Sequence, residues 1–155
     1  MSVVNIVLGV LVLALILRRQ LRIRPVRDDA RLGILALIAV LGVSSMARTL
    51  HGHHVSSAAI GVLAVSLVAA GVLGGVRGYT VQVWREPTGP VLRKGTALTA
   101  ALWIVAVAVH VAADIWLDDL SDIAGLGTST ILVYLVITWA VQGVVVRSRA
   151  ARLAV

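Results

Sequence analysis

Five runs of apolar residues, separated by short polar segments, constrain this chain more than any other feature of its sequence. The runs cover residues 2–17, 32–47, 57–76, 96–113 and 128–146 of the 155 residues. A helix needs about 20 mostly apolar residues to cross a bilayer, and the runs approach that length. With 59% hydrophobic and 14% charged residues, the chain is too apolar for a soluble domain, in which about 25% are charged. We therefore predict an all-α membrane protein, a bundle of five transmembrane helices that forms a single domain over residues 1–155.

The positive charges are distributed unevenly between the two sides of these predicted helices. Thirteen of the 14 Lys and Arg residues lie in segments 18–31, 77–95 and 147–155, whereas Arg48 lies on the opposite side with four of the seven acidic residues. Because basic loops stay in the cytoplasm, this predicts a multi-pass plasma-membrane protein with its N-terminus outside and its C-terminus in the cytoplasm. The same distribution explains the net charge of +7, so we predict membrane lipid, and no nucleic acid, as the partner.

The segment between the third and fourth predicted helices has the pattern of a β-hairpin. Residues 79–84 alternate in polarity, residues 86–89 (Glu-Pro-Thr-Gly) suit a turn, and residues 90–93 lead back. We predict a short hairpin at the cytoplasmic face. Just before it, Gly71 and Gly75 have the spacing of small residues that lets helices approach closely, which predicts helix packing and a possible homo-oligomer through that face.

The hairpin region also carries a resemblance. The stretch VWREPTGPVLRKGT (83–96), which leads into TAALWI (99–104), resembles the actinobacterial small integral membrane proteins grouped as CcdC-like. The resemblance extends to the Arg-rich segment after the first predicted helix and to the His-rich loop. It implies a fold of several membrane helices and no established reaction.

The polar residues inside the predicted helices are the candidate site residues, because a polar group in lipid is costly unless it is paired. His110 and Asp114 are four residues apart and share one helix face; Thr130, Tyr134 and Thr138 form a second stripe. If the two faces meet, Trp103 would form an indole wall. We predict an outward-opening pocket, lined by Asn5, Arg48, His110, Asp114 and Tyr134.

Three functions are compatible with this pattern. The first is binding of an apolar ligand or a partner through the polar pocket, with Asn5, Arg48, Trp103, Thr130 and Thr138 as ligand contacts. The second is an intramembrane isomerase or cyclase that acts on an isoprenoid, quinone or polyketide, with His110, Asp114 and Tyr134 in acid–base roles. The third is a metal or haem protein, in which His51, His53 and His54 bind zinc or copper. No cofactor is the primary expectation, and the absence of cysteine excludes thiolate chemistry.

Overall fold

A computed structural model describes residues 32–121, 123 and 126–154, residues 20–26, and positions 11, 14, 15 and 18. The first predicted span, residues 2–17, therefore lies almost wholly outside the described residues. The elements follow in the order β1 (Arg24–Pro25), α1 (Leu32–Leu50), α2 (Ser57–Thr80), β2 (Gln82–Arg85), β3 (Val91–Lys94), α3 (Ala97–Leu120) and α4 (Leu126–Ala154).

All four described helices are long and apolar enough to cross a membrane, which supports a multi-pass membrane protein. The helices α2 and α3 have 24 residues each. At a rise of about 1.5 Å per residue they are about 36 Å long, which exceeds the hydrocarbon core of about 30 Å. Each helix continues past the C-terminal end of its predicted span, since polar residues extend it beyond the apolar run. Five spans were predicted, and the described part of the chain contains four helices that could cross a membrane.

The predicted hairpin is present, and a third strand joins it. Strands β2 and β3 pair antiparallel, with Gln82 opposite Lys94 and Arg85 opposite Val91. The first strand begins later than predicted because α2 extends through Thr80. The two-residue strand β1 pairs antiparallel with β3, which gives the order β1-β3-β2. Arg24 and Pro25, which belong to the Arg-rich segment before α1, are thereby attached to the hairpin.

The sheet marks one end of the bundle, which we call the sheet end. The helices α1 and α3 begin there, and α2 and α4 end there. The opposite end carries the loop with His51, His53 and His54, and we call it the histidine end. Helix α3 begins at the sheet end with a capping box, in which Thr96 accepts from the Thr99 backbone N–H and Thr99 accepts from that of Thr96.

Helix α4 lies at the centre of the bundle and contacts α1, α2 and α3. Its approach to α2 requires glycine. A Cβ atom at Gly74 would lie 2.6 Å from the carbonyl oxygen of Thr138, and one at Gly78 would lie 2.6 Å from Cβ of Val145. The predicted packing face is thus occupied within the chain, because Gly71 and Gly75 also face α4 at ordinary contact distances. Homo-oligomerisation through that face stays a prediction.

Candidate functional site

The loop histidines lie at the surface. His51, His53 and His54 are all exposed, and Nδ1 of His53 lies 3.2 Å from the carbonyl oxygen of His51. Arg48 is also exposed, and it borders a shallow depression with His51. Within the described residues no group of three His, Cys, Asp or Glu side chains is placed to hold a metal ion. The predicted zinc or copper ligands are therefore not assembled in this part of the structure.

The two predicted polar stripes meet inside the bundle. The rings of His110 and Tyr134 lie 4.7 Å apart, and both residues are buried. The Tyr134 hydroxyl donates to the carbonyl oxygen of Ala106 at 2.8 Å, so the phenol joins α4 to α3. Asp114, one helical turn further toward the histidine end, is half-buried. His110 and Tyr134 therefore pack against each other in the interface between α3 and α4.

The remaining predicted ligand contacts are distributed along the chain. Thr130 and Thr138 are buried on α4, and the Thr138 hydroxyl donates to the carbonyl oxygen of Ala70 at 3.4 Å. Arg48 is exposed, whereas His110 and Tyr134 are buried. Asn5 lies outside the described residues.

Arg77, which was predicted to be one of the cytoplasmic charges, is a buried cation. Its side chain is fully buried in the last turn of α2, and its guanidinium carbon lies 3.8 Å from the ring centroid of Trp103. Trp103 in turn contacts Trp139 edge to face, with ring centroids 5.9 Å apart. The Arg77 guanidinium donates to the Thr138 carbonyl at 3.5 Å, and its Nε and Nη1 atoms have no hydrogen-bond partner among the described residues.

A signal for this burial was present in the sequence. Arg77 lies three residues after Gly74 and directly before Gly78, so it shares the helix face that packs against α4. Its position at the C-terminal end of α2 is electrostatically favourable, since the helix dipole is negative there. A cation–π contact between a desolvated cation and an aromatic ring stabilises the folded state by about 2 kcal/mol.

A cavity of about 300 Å³ lies at the sheet end, between α1 and α4. Its walls are largely apolar, and its polar groups come from the chain before β1, from β3 and from α4. The lining residues are Gln20, Ile34, Leu35, Ile38, Arg93, Trp139, Ala140, Gln142, Gly143 and Arg147. Residue spacing does not reveal this cavity, because its walls come from four separate segments that only the packing of α1 on α4 brings together.

The polar wall of the cavity is basic. Arg93 and Arg147 contribute guanidinium groups and Gln20 and Gln142 contribute amides, whereas no Asp or Glu is among the described lining residues. Gln142 is 3% exposed, and its amide oxygen has no hydrogen-bond partner in the described part of the chain. Trp139 also lines the cavity. The ring of Trp139 contacts Trp103, and Trp103 in turn contacts the guanidinium of Arg77.

Comparisons with known proteins identify no relative: no family model, no curated protein and no solved structure matches the chain. The CcdC-like resemblance stays a prediction.

Proposed function

We propose that this chain is a membrane-embedded binding protein that holds a lipid-soluble ligand in the sheet-end cavity. The observation that supports the proposal is the cavity itself, which combines apolar walls with a few polar groups at one side. Ligand pockets have this composition, and their volumes begin at about 300 Å³. Binding is the first of the three functions predicted from the sequence, although the cavity lies at the end opposite the predicted outward pocket.

The cavity lining does not include the residues proposed for catalysis, His110, Asp114 and Tyr134. The lining residue of α4 nearest to Tyr134 is Trp139, which is five residues away, about 7.5 Å along the helix. Because the Tyr134 hydroxyl is held by the Ala106 carbonyl, it does not face the cavity as a free acid. An enzyme that uses His110, Asp114 and Tyr134 stays a prediction.

The test uses a residue that offers room for a side chain. Gly143 lines the cavity, and a Cβ atom placed there meets no atom within 4 Å. We expect Gly143→Leu to fold normally and to project an isobutyl group into the cavity. The matched control is Gly61→Leu on α2, which also meets no atom within 4 Å and is exposed.

The measurement is native mass spectrometry of protein extracted gently from its membrane. We expect the unmodified protein and Gly61→Leu to retain a small molecule, and Gly143→Leu to retain less than a tenth as much. Equal retention by Gly143→Leu, or no retained molecule in the unmodified protein, would contradict the proposal.

The distribution of charge supports a cytoplasmic position for this cavity. The described basic residues other than Arg48 lie toward the sheet end, and Asp114, Asp118 and Asp119 lie toward the histidine end. Since the chain has no cysteine, single substitutions report the side directly. We expect an impermeant thiol reagent outside the cell to label Ser121→Cys and to leave Ser148→Cys unlabelled. Labelling of both from outside would refute this orientation.

A further inference from the structure

We infer that the ligand of the sheet-end cavity is an anionic lipid, with its head group at Arg93 and Arg147 and its chains along α1. This inference rests on the proposed function and adds the chemical class of the ligand. Three independent features support it: the charge of the lining, the pairing of strands β1 and β3, and the exposed face of α1.

The charge of the lining favours an anion over a zwitterion. Arg93 and Arg147 provide two permanent positive charges, and Gln20 and Gln142 provide neutral polar groups. A phosphodiester matches guanidinium groups, which bind phosphate oxygens in pairs. A choline head group would also bring a quaternary ammonium, and the described lining contains no carboxylate to receive it. Basic pockets between transmembrane helices are typical sites for anionic lipid head groups.

The strand register places a second guanidinium next to Arg93. Arg24 of β1 is directly opposite Arg93 of β3 in the antiparallel pair, so both side chains leave the same face of the sheet. Residues in this position have Cβ atoms about 5 Å apart. Each guanidinium offers several N–H donors, so two of them at this spacing match the oxygens of one phosphate. The pairing of β1 with β3 therefore adds a third arginine, Arg24, beside the proposed head-group site.

The apolar face of α1 has room for the acyl chains. Ile34 lines the cavity and is 59% exposed, and Leu37 and Leu41 follow it at 60% and 51% exposure. Their spacing of three and four residues aligns them on one side of the helix. A cavity of about 300 Å³ is at the lower limit for ligand pockets, so it holds a head group and the first methylenes. The remaining chain length would continue along this stripe.

The test measures lipid binding in neutral detergent micelles, where no charged membrane surface attracts lipids non-specifically. The probes are phosphatidylglycerol, phosphatidylcholine and glycerol 3-phosphate, and occupancy is read by native mass spectrometry. We expect the unmodified protein to bind phosphatidylglycerol at least about fivefold more tightly than phosphatidylcholine, since one cation near a lipid phosphate contributes about 1 kcal/mol. Glycerol 3-phosphate should not displace phosphatidylglycerol when the two are present at the same concentration.

The variants assign this preference to the two arginines. The pair Arg93→Gln and Arg147→Gln should lower phosphatidylglycerol affinity about 25-fold, which is about fivefold for each charge. The pair Arg93→Lys and Arg147→Lys should restore most of the affinity, which shows that the Gln pair acts through charge and not through misfolding. Arg152→Gln, an exposed arginine of the same helix outside the cavity lining, should stay within about twofold of the unmodified protein.

Each contrary result has a separate meaning. Equal binding of both lipids, unchanged in the Gln pair, would overturn the anionic class while loss of ligand in Gly143→Leu still supported the cavity. Full competition by glycerol 3-phosphate would overturn the lipid and leave a simple anion site. Unaltered lipid binding in Gly143→Leu would instead contradict the proposed function itself.

Discussion

Replacement of Gly74 by alanine tests the close packing of α2 on α4. The new Cβ atom would lie 2.6 Å from the Thr138 carbonyl oxygen and 3.2 Å from its Cα atom. Ordinary contact begins at 3.4 Å, so the overlap with the oxygen is 0.8 Å. Because the atoms that collide belong to the backbone of α4, the two helices must separate. That movement lengthens the bonds from Arg77 to the Thr138 carbonyl and from the Thr138 hydroxyl to Ala70, which already measure 3.5 and 3.4 Å.

The destabilisation caused by Gly74→Ala is measured against two control variants on the same helix, Gly75→Ala and Gly61→Ala. A Cβ atom at Gly75 meets Val141 at an ordinary 3.8 Å, and one at Gly61 meets nothing within 4 Å. All three variants gain the higher helix propensity of alanine over glycine. The difference between their free energies of unfolding therefore reports the steric overlap at Gly74 alone. Overpacking of this kind costs about 1–3 kcal/mol.

The assay is reversible unfolding in mixed micelles of mild detergent and dodecyl sulfate, followed by the fluorescence of the four tryptophans. We expect Gly74→Ala to unfold about 1–3 kcal/mol more easily than either control variant. A Gly74→Ala protein as stable as Gly75→Ala would refute the close approach of α2 and α4.

The same unfolding assay tests three further side chains. Arg149 donates from Nη1 to the carbonyl oxygens of Gly78, Tyr79 and Val81 at 2.7–3.0 Å. Arg149→Gln should therefore destabilise the folded protein by about 1–2 kcal/mol. The control, Arg152→Gln, should change its stability by less than about 0.5 kcal/mol. Tyr134→Phe removes the hydrogen bond to the Ala106 carbonyl. The free energy of unfolding should fall by about 0.6 kcal/mol, as for other hydrogen bonds between membrane helices. An unchanged free energy of unfolding would indicate that the bond is not formed. Arg77→Met removes the cation–π contact with Trp103, worth about 2 kcal/mol, and also removes the larger cost of burying a charge, which is several kcal/mol. It should therefore leave stability unchanged or raise it by up to about 2 kcal/mol. A clear destabilisation would mean that the contacts of Arg77 outweigh the cost of burying its charge.

Hydropathy and local spacing predicted the helices and the hairpin because both depend on neighbouring residues. The apolar runs at 32–47, 57–76, 96–113 and 128–146 coincide with α1 to α4. Their ends were underestimated because polar residues continue a helix where it leaves the hydrocarbon core. Strand β1 could not be predicted in this way, since its two residues form a strand only by pairing with β3.

The candidate site depends on contacts between distant segments, and so the sequence indicated it incompletely. The spacing of His110 on α3 and Tyr134 on α4 predicted two polar faces, and these faces meet. Spacing did not show whether a cavity lies between them. Arg77 was assigned to a loop because charge counting treats every arginine near a helix end as solvated. The cavity at Arg93 and Arg147 exists only because the sheet returns to the end of α4.

The most direct measurement is an experimental density map of the protein in bilayers that contain phosphatidylglycerol. Binding of an anionic lipid predicts a phosphate-sized peak within about 4 Å of the guanidinium groups of both Arg93 and Arg147, with chain density continuing along Ile34 and Leu37. A cavity without lipid density, or one filled by side chains of the protein itself, would contradict the proposed binding site.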